Sequence, residues 1–461
     1  MVLFFLFSCK KEKLLTDGDA YIYFSADTLK FDTVFTTTGS ITRSFKVFNP
    51  NEGSIRFSSI RLMGGNASSF RININGLQTF SQQDVELEAG DSMYVFVTVN
   101  AQPQSTNLPF LINDSIEFAW NGNQSFVQLK AFGQNAYFLR GKKITSDTTW
   151  NNALPIVLLD SLIVTENATL TITEGTKIYV HAQTPFIVKG TLNLQGRKNE
   201  EVTFQGDRLD EYYRDLPGSW NGLTFTERSQ NNTLKFAVIK NAINGIEAKE
   251  KNLPSLLTPV LTLKQCIIDN ASACGILCTK TSLMADNCLI SNCGQNVQIN
   301  KGGQAKFINC TMVAYSTDFQ LHQQPGLFLS NAQWENNAWA TYDLQALFQN
   351  CIIWGDGGMS NDEVELQKES GALFEVNLEN CLYRAESVLT DAIFTDCIQN
   401  QAPSFDTLDF NTNRFDFRTN NDPLSPNIDM GKTPATPADK DLDDLPRVAG
   451  LKIDIGCYER Q

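Results

Sequence analysis

Gln265-Cys266-Ile267-Ile268, Asn287-Cys288-Leu289-Ile290 and Asn309-Cys310-Thr311-Met312 stand 22 residues apart. Asn350-Cys351-Ile352-Ile353 and Asn380-Cys381-Leu382-Tyr383 continue the series after longer gaps. Self-similarity at this period is the mark of a repeat architecture, in which each unit stacks on the next. The match extends past the cysteine. Ile268-Asp269-Asn270-Ala271, closing on Gly275-Ile276, echoes Ile239-Lys240-Asn241-Ala242, closing on Gly245-Ile246. By that echo Ala237 holds the cysteine position one repeat earlier. The position asks for a small apolar residue, not for a thiol.

The parity within each repeat selects the fold. Leu261 and Leu263 alternate as a strand requires. Cys266 and Ile268 alternate too, but one residue out of phase with the leucines. A bend at the amide residue resets the phase and lets both pairs point inward. Short strands joined by bends, in coils of about 22 residues, describe a parallel β-helix. A helical solenoid is excluded by the β-branched residues, the frequent Asn and Gly, and the lack of a sustained 3.6 period. Eleven cysteines then read mainly as a reduced interior ladder. Stacked, in-register side chains point in parallel and suit the disulfide dihedral poorly. Cys274, Cys278 and Cys293 fall off the ladder, so any bridge is expected among them.

Composition narrows the function classes. The net charge is -14 and the pI about 4.7, which opposes a nucleic-acid partner, because that affinity rests on neutralising phosphates. Only His181 and His322 are present. No Gly-x-Ser-x-Gly elbow, close-paired zinc motif or phosphate-binding loop occurs. Cofactor chemistry is not expected.

Four segments are read along the chain. Residues 1–19 form a leader remnant and tether. Within it Val2 to Phe7 is apolar but too short to span a membrane. Leu6-Phe7-Ser8-Cys9 resembles the lipobox of bacterial lipoproteins, which implies lipid attachment at Cys9. No Lys or Arg precedes this short apolar run, so the start is expected to lie inside a longer signal. Residues 20–136 show alternation broken by turns, as in Arg43-Ser44-Phe45-Lys46-Val47-Phe48 before Asn49-Pro50, and Tyr94 to Val99 after Ala89-Gly90-Asp91. That rhythm predicts a β-sandwich and resembles the Hydin-type, major-sperm-protein-like immunoglobulin domain, a module for spacing or protein binding.

Residues 140–400 carry the coils, with Gly175, Gly190, Gly196, Gly218 and Gly222 at corners. Residues 401–461 are expected to end or cap the stack. Cys351-Ile352-Ile353-Trp354-Gly355, Ser425-Pro426-Asn427-Ile428-Asp429 and Asp454-Ile455-Gly456-Cys457-Tyr458-Glu459 resemble the right-handed parallel β-helix repeat lipoproteins of Bacteroidetes-type bacteria. Asp444 departs from that pattern, where glycine is usual. The resemblance implies a pectin lyase-like fold and an outer-membrane, cell-surface setting, with little said about activity. The expected fold is therefore all-β: an N-terminal immunoglobulin-like sandwich followed by a right-handed parallel β-helix.

Function is expected where the repeat is interrupted, because loops on a rigid scaffold carry binding sites. The stretch Gly206 to Gly218 holds Tyr212, Tyr213 and Arg214 among several carboxylates. The stretch Tyr315 to Leu347 holds Trp334, Trp339 and Tyr342. Such aromatics suit stacking on sugar faces. Asp439, Asp441 and Asp443 alternate like a Ca²⁺ loop but lack its turn glycine and closing Glu. The sequence thus points to surface binding of a glycan or an envelope protein, with outer-membrane lipid as a partner through Cys9. A polysaccharide lyase or glycoside hydrolase is the alternative, and a structural spacer the third reading.

Overall fold

The computed structural model describes residues 13–36, 39–250, 259–356, 358–420, 422–434 and 438–461. Cys9 and its flanking lysines lie outside the described residues. The chain forms two compact units. One ends at Ala136 and takes in Leu209–Glu211; the other comprises Tyr137–Arg208 and Tyr212–Gln461. Among the described residues no helix is long and apolar enough to cross a membrane.

The first unit is a two-sheet sandwich. One sheet orders Tyr23–Phe24, Arg43–Phe48, Ser92–Val99, Phe70–Ile74 and Leu77–Thr79; the other runs from Thr28–Phe35 through Asn123–Gln134, Phe110–Trp120 and Ile55–Leu62 to Ser81–Gln82. Side chains alternate in and out along Ser92–Val99, as one buried and one solvated face demand. Phe45, Phe57, Phe70 and Phe118 meet in the shared core.

The second unit is a parallel β-helix whose sheet strings together 26 strands. Each strand pairs in register with its counterpart one coil on: Leu261 with Leu283, Leu283 with Ala305, Ala305 with Ala346, and Ala346 with Val376. Like positions therefore stack into interior columns, such as Ile268, Ile290, Met312, Ile353 and Tyr383. Cys266, Cys288, Cys310, Cys351 and Cys381 form a neighbouring column, all fully buried. Val238 pairs with Ile267, so Ala237 does sit in the cysteine column.

The phase reset falls on the amides. Gln265, Asn287, Asn309, Asn350 and Asn380 all have φ between 49° and 55°. Asn is the residue besides glycine that adopts this left-handed conformation at least cost. Asn241, Asn270 and Asn292 turn a second corner in the same way, at 59°, 58° and 50°.

One open pairing is resolved here, and one expectation changes. The ten described cysteines are all free, Cys274, Cys278 and Cys293 included, and those three are buried. Cys274 and Cys293 donate their thiols to the carbonyls of Ile276 and Ser291 instead, each at 3.2 Å. The C-terminal segment, expected to cap the stack, runs along its side as a strap. The repeat amides hold it: Gln265 donates to the carbonyl of Asp441 at 2.7 Å, Asn287 to Lys440 at 3.2 Å, Asn350 to Lys432 at 2.8 Å and Asn380 to Met430 at 3.1 Å. The outward side chains next to the cysteines are mainly apolar, with Thr311 among them, and Leu289, Ile352 and Leu382 bury against Phe417, Leu442, Ile455 and Tyr458 of the C-terminal segment. A capping role would have left that apolar column in water.

Candidate functional site: a lateral groove beside the strap

The strap covers only part of this coil face. Where it stops, a groove of about 570 Å³ opens, within the usual range for ligand sites. Its floor is the outer surface of three stacked strands. Lys240 pairs with Asp269, and Asp269 with Ser291, in the parallel register. Their side chains therefore line up along the groove. Ser291 donates its hydroxyl to Asp269 at 2.8 Å, and the Lys240 ammonium lies 3.9 Å from the other carboxylate oxygen.

One wall is the hairpin of Phe405–Asp409 and Arg414–Thr419, contributing Arg414, Phe415, Asp416 and Arg418. Phe415 and Phe417 stack with Tyr315, at 6.0 and 6.1 Å between ring centres. Arg418 grips Asp416 at 2.9 and 3.0 Å and Asp443 at 2.6 and 2.8 Å. It also lies over the Tyr458 ring at 4.8 Å. Hydrogen bonding to Asp443 holds its guanidinium above the ordinary value, so this cation is permanent. The opposite rim is the loop carrying Thr317 and Phe319. Asn413 at the hairpin tip joins the two sides, donating to Asp318 at 3.0 Å and accepting its N–H at 3.2 Å.

From the stretch Gly206 to Gly218, Asp215 borders the same groove. Asn241 and Asn270, at the coil corner, donate to the carbonyls of Arg214 and Asp215 at 2.6 and 2.8 Å. The corner amides thereby tie this loop down and place Asp215 in the groove lining. Tyr212 is exposed and packs edge-to-face on Tyr213 at 5.1 Å and on Phe319 at 6.2 Å. Arg208 lies over the Tyr213 ring at 3.7 Å. The Arg214 side chain turns to its neighbour Asp215, at 3.1 Å.

Trp334, Trp339 and Tyr342 form a separate group. Ala332–Glu335 and Ala338–Thr341 make a hairpin across Asn336-Asn337, whose φ values of 50° and 63° suit a tight two-residue turn. Trp334 and Trp339 are direct cross-strand partners, edge-to-face at 5.4 Å, and remain 57% and 44% exposed. Tyr342 sits at the base under the Lys280 ammonium, 4.6 Å from its ring. Trp220 and Trp354 are buried.

Two of the three alternating aspartates, Asp441 and Asp443, organise the strap. Asp441 accepts the N–H groups of Asp443, Leu445 and Glu459, each at 2.9 Å. Asp443 is shared by Lys198 at 2.5 Å and Arg418. Burial would raise its carboxyl, but these two cations hold it below the ordinary value. Asp439 is exposed. Among the described residues no group of three His, Cys, Asp or Glu is placed to hold a metal ion. Asp441 thus closes a turn, and Asp443 joins an ion-pair network. The histidines are each paired with a carboxylate: His181 with Asp207 on the surface and His322 with Glu363 in the interior, both at 2.7 Å.

Sequence reading missed Lys240, Asp269 and Ser291. The repeat alignment that located Ala237 also aligns these three outward positions, so a signal was present. The hairpin wall had none, because its partner Asp318 lies 95 residues away.

Fold and groove together define an all-β protein in which a parallel β-helix offers a lateral groove between a strap and two loops. No protein-family model matches the chain, and no curated protein is similar to it. Among solved structures, a family 123 glycoside hydrolase from Clostridium perfringens is similar over 26% of this chain and 30% of its own, at 7% identity and a TM-score of 0.19. The E. coli chaperone DraB is similar over 25% of this chain and 55% of its own, at 8% identity and a TM-score of 0.17. Likenesses this partial and distant carry no argument about fold or function.

Proposed function

We propose that this chain is a lipid-anchored cell-envelope protein that binds glycan in the lateral groove. The groove itself carries the reading. Its floor sets an ammonium, a carboxylate and a hydroxyl in line at the interstrand spacing of about 4.8 Å, while Phe319 and Phe415 supply ring surface. A chain of hydroxylated rings presents the same mixture of polar edges and apolar faces. The paired Trp334 and Trp339 offer a second stacking surface outside the groove.

Replacing Lys240 by Ala together with Asp269 by Asn is expected to weaken binding to a glycan array hit by about tenfold or more. Trp334→Ala should act independently and less strongly. Unchanged affinity in the groove variant, with the fold intact, overturns this assignment. The anchor predicts palmitate labelling of cells expressing the chain, absent in Cys9→Ala.

A glycan lyase or hydrolase is the second reading, favoured by the presence of Asp215 and Asp269 in one groove. Asp269 is occupied by Ser291 and Lys240, which places binding first. Appearance of new reducing ends or unsaturated products, abolished by Asp215→Asn, would reverse that order.

A further inference from the structure

The cysteine column extends one step beyond the repeat. Ile398 pairs with Leu382, which sets Cys397 directly on Cys381. Six thiols therefore stand in file: Cys266, Cys288, Cys310, Cys351, Cys381 and Cys397. The backbone N–H of Cys351 points at the Cys381 sulfur, and that of Cys381 at the Cys397 sulfur, each at 3.4 Å. Five of the six are fully buried in the stack. Cys397 alone is partly open to solvent, as it is among all ten described cysteines. The file thus has a closed end and an accessible end, and the second thiol lies immediately behind the first.

We propose that Cys397 is a redox modification site, taking low-molecular-weight disulfides as its substrate class, with Cys381 as the resolving thiol. The Cys397 thiolate attacks one sulfur of a disulfide RSSR. A new S–S bond forms, the old one breaks, and RS⁻ leaves with the electron pair and takes up the proton lost by Cys397. Cys381 then loses its proton and attacks the Cys397 sulfur, expelling the second RSH. Two protein thiols are oxidised to one disulfide and RSSR is reduced to two RSH.

The geometry supports both steps. Adjacent strands lie about 4.8 Å apart, inside the Cα separation a disulfide accepts, and the in-register stacking that opposes the disulfide dihedral has to twist only at this last pair. The strands that follow this last pair, Leu382–Tyr383 and Ile398–Gln399, are only two residues each. Two register pairs join them, against three between the equivalent strands after Cys266, Cys288 and Cys310, so they resist twisting less. Electrostatics agrees: hydrogen bonding to Cys381 holds the Cys397 thiol below its usual value despite partial burial. Burial pushes Cys381 and the four thiols behind it well above theirs. Nucleophilic reactivity follows thiolate content and access.

Peptide-resolved mass spectrometry on the folded full-length chain tests this, with the Cys9 peptide followed separately. Maleimide should label Cys397 about tenfold or more faster than any other described cysteine. After oxidised glutathione, the Cys381 and Cys397 peptides should appear joined, lighter by two hydrogens and free of glutathione. Cys381→Ser should instead retain glutathione on Cys397, and Cys397→Ser should show neither product while keeping its β-sheet circular dichroism. Labelling of Cys397 no faster than that of the buried cysteines overturns the proposal. So does a glutathione adduct that persists on the unsubstituted chain.

Discussion

Asn350→Ala is expected to destabilise the protein by about 3–4 kcal/mol and to release the strap, the largest effect of any single amide in the repeat. Asn350 is fully buried and sits at the centre of the clasp. Its side chain donates to the Lys432 carbonyl at 2.8 Å and to Asn309 at 2.9 Å, and accepts the Lys432 N–H at 2.8 Å. Its own carbonyl accepts the Gly456 N–H at 2.9 Å. Alanine removes three side-chain bonds and leaves the Lys432 N–H and C=O without partners; each such loss costs about 1–1.5 kcal/mol. Alanine must also adopt a φ of 55°, at about 1 kcal/mol. Urea unfolding gives the stability. Faster proteolysis within residues 425–459 gives strap release. Asn287 donates to the strap at 3.2 Å, a longer bond with no return N–H like that of Lys432, so Asn287→Ala should cost clearly less. Equal losses in the two variants would refute the clasp.

The strap is expected to loosen as the pH rises from about 5 to 8. Glu459 is buried in it, accepting the N–H groups of Asp454 at 3.0 Å and Ala449 at 3.3 Å, with the Arg447 guanidinium 4.0 Å away. Burial, aided by the neighbouring Asp454 carboxyl and opposed by Arg447, pushes its carboxyl from 4.5 up to about 7. The folded state therefore holds this proton more tightly than the unfolded chain. The associated stability is fully present below the unfolded value and is lost as the pH climbs through about 7, amounting to about 3 kcal/mol. Burial moves Asp441 and Asp454 in the same direction, so the slopes add. Urea midpoints at pH 5 and pH 8 measure the effect, and Glu459→Gln should flatten most of it. A midpoint that rises between those pH values would exclude this origin. Asp443, Glu250 and Asp362, held below their ordinary values, act in a separate window. Their contribution is present above the unfolded carboxylate range and is lost in acid.

These two effects meet at the groove. The strap carries Tyr458, and Asp443 of the strap anchors Arg418 of the hairpin wall. Loosening the strap should therefore degrade glycan binding without touching Lys240 or Asp269. A fall in affinity that tracks the stability curve between pH 5 and 8 would be its signature.

Much of this protein is determined locally, and that part is legible from sequence. The coil follows from a 22-residue period and from the parity break between Leu263 and Cys266. An Asn or Gln before each of Cys266, Cys288, Cys310, Cys351 and Cys381 announces a left-handed corner, because few other residues accept that backbone. Ala237 in the cysteine column shows that packing volume, not thiol chemistry, sets that position. What tertiary structure alone decides is where distant segments meet. Nothing in Asp439-Lys440-Asp441-Leu442-Asp443 says that it lies along Gln265 and Asn287, since its carboxylates alternate in the same way for a cation or for a turn. Nothing in residues 405–419 says that they wall a groove on strands formed more than a hundred residues earlier. The physical reason is common to both. Corner conformation and strand parity are properties of a few adjacent residues, whereas strap, groove and accessible thiol arise from burying one apolar column of the finished stack and leaving the rest open to water.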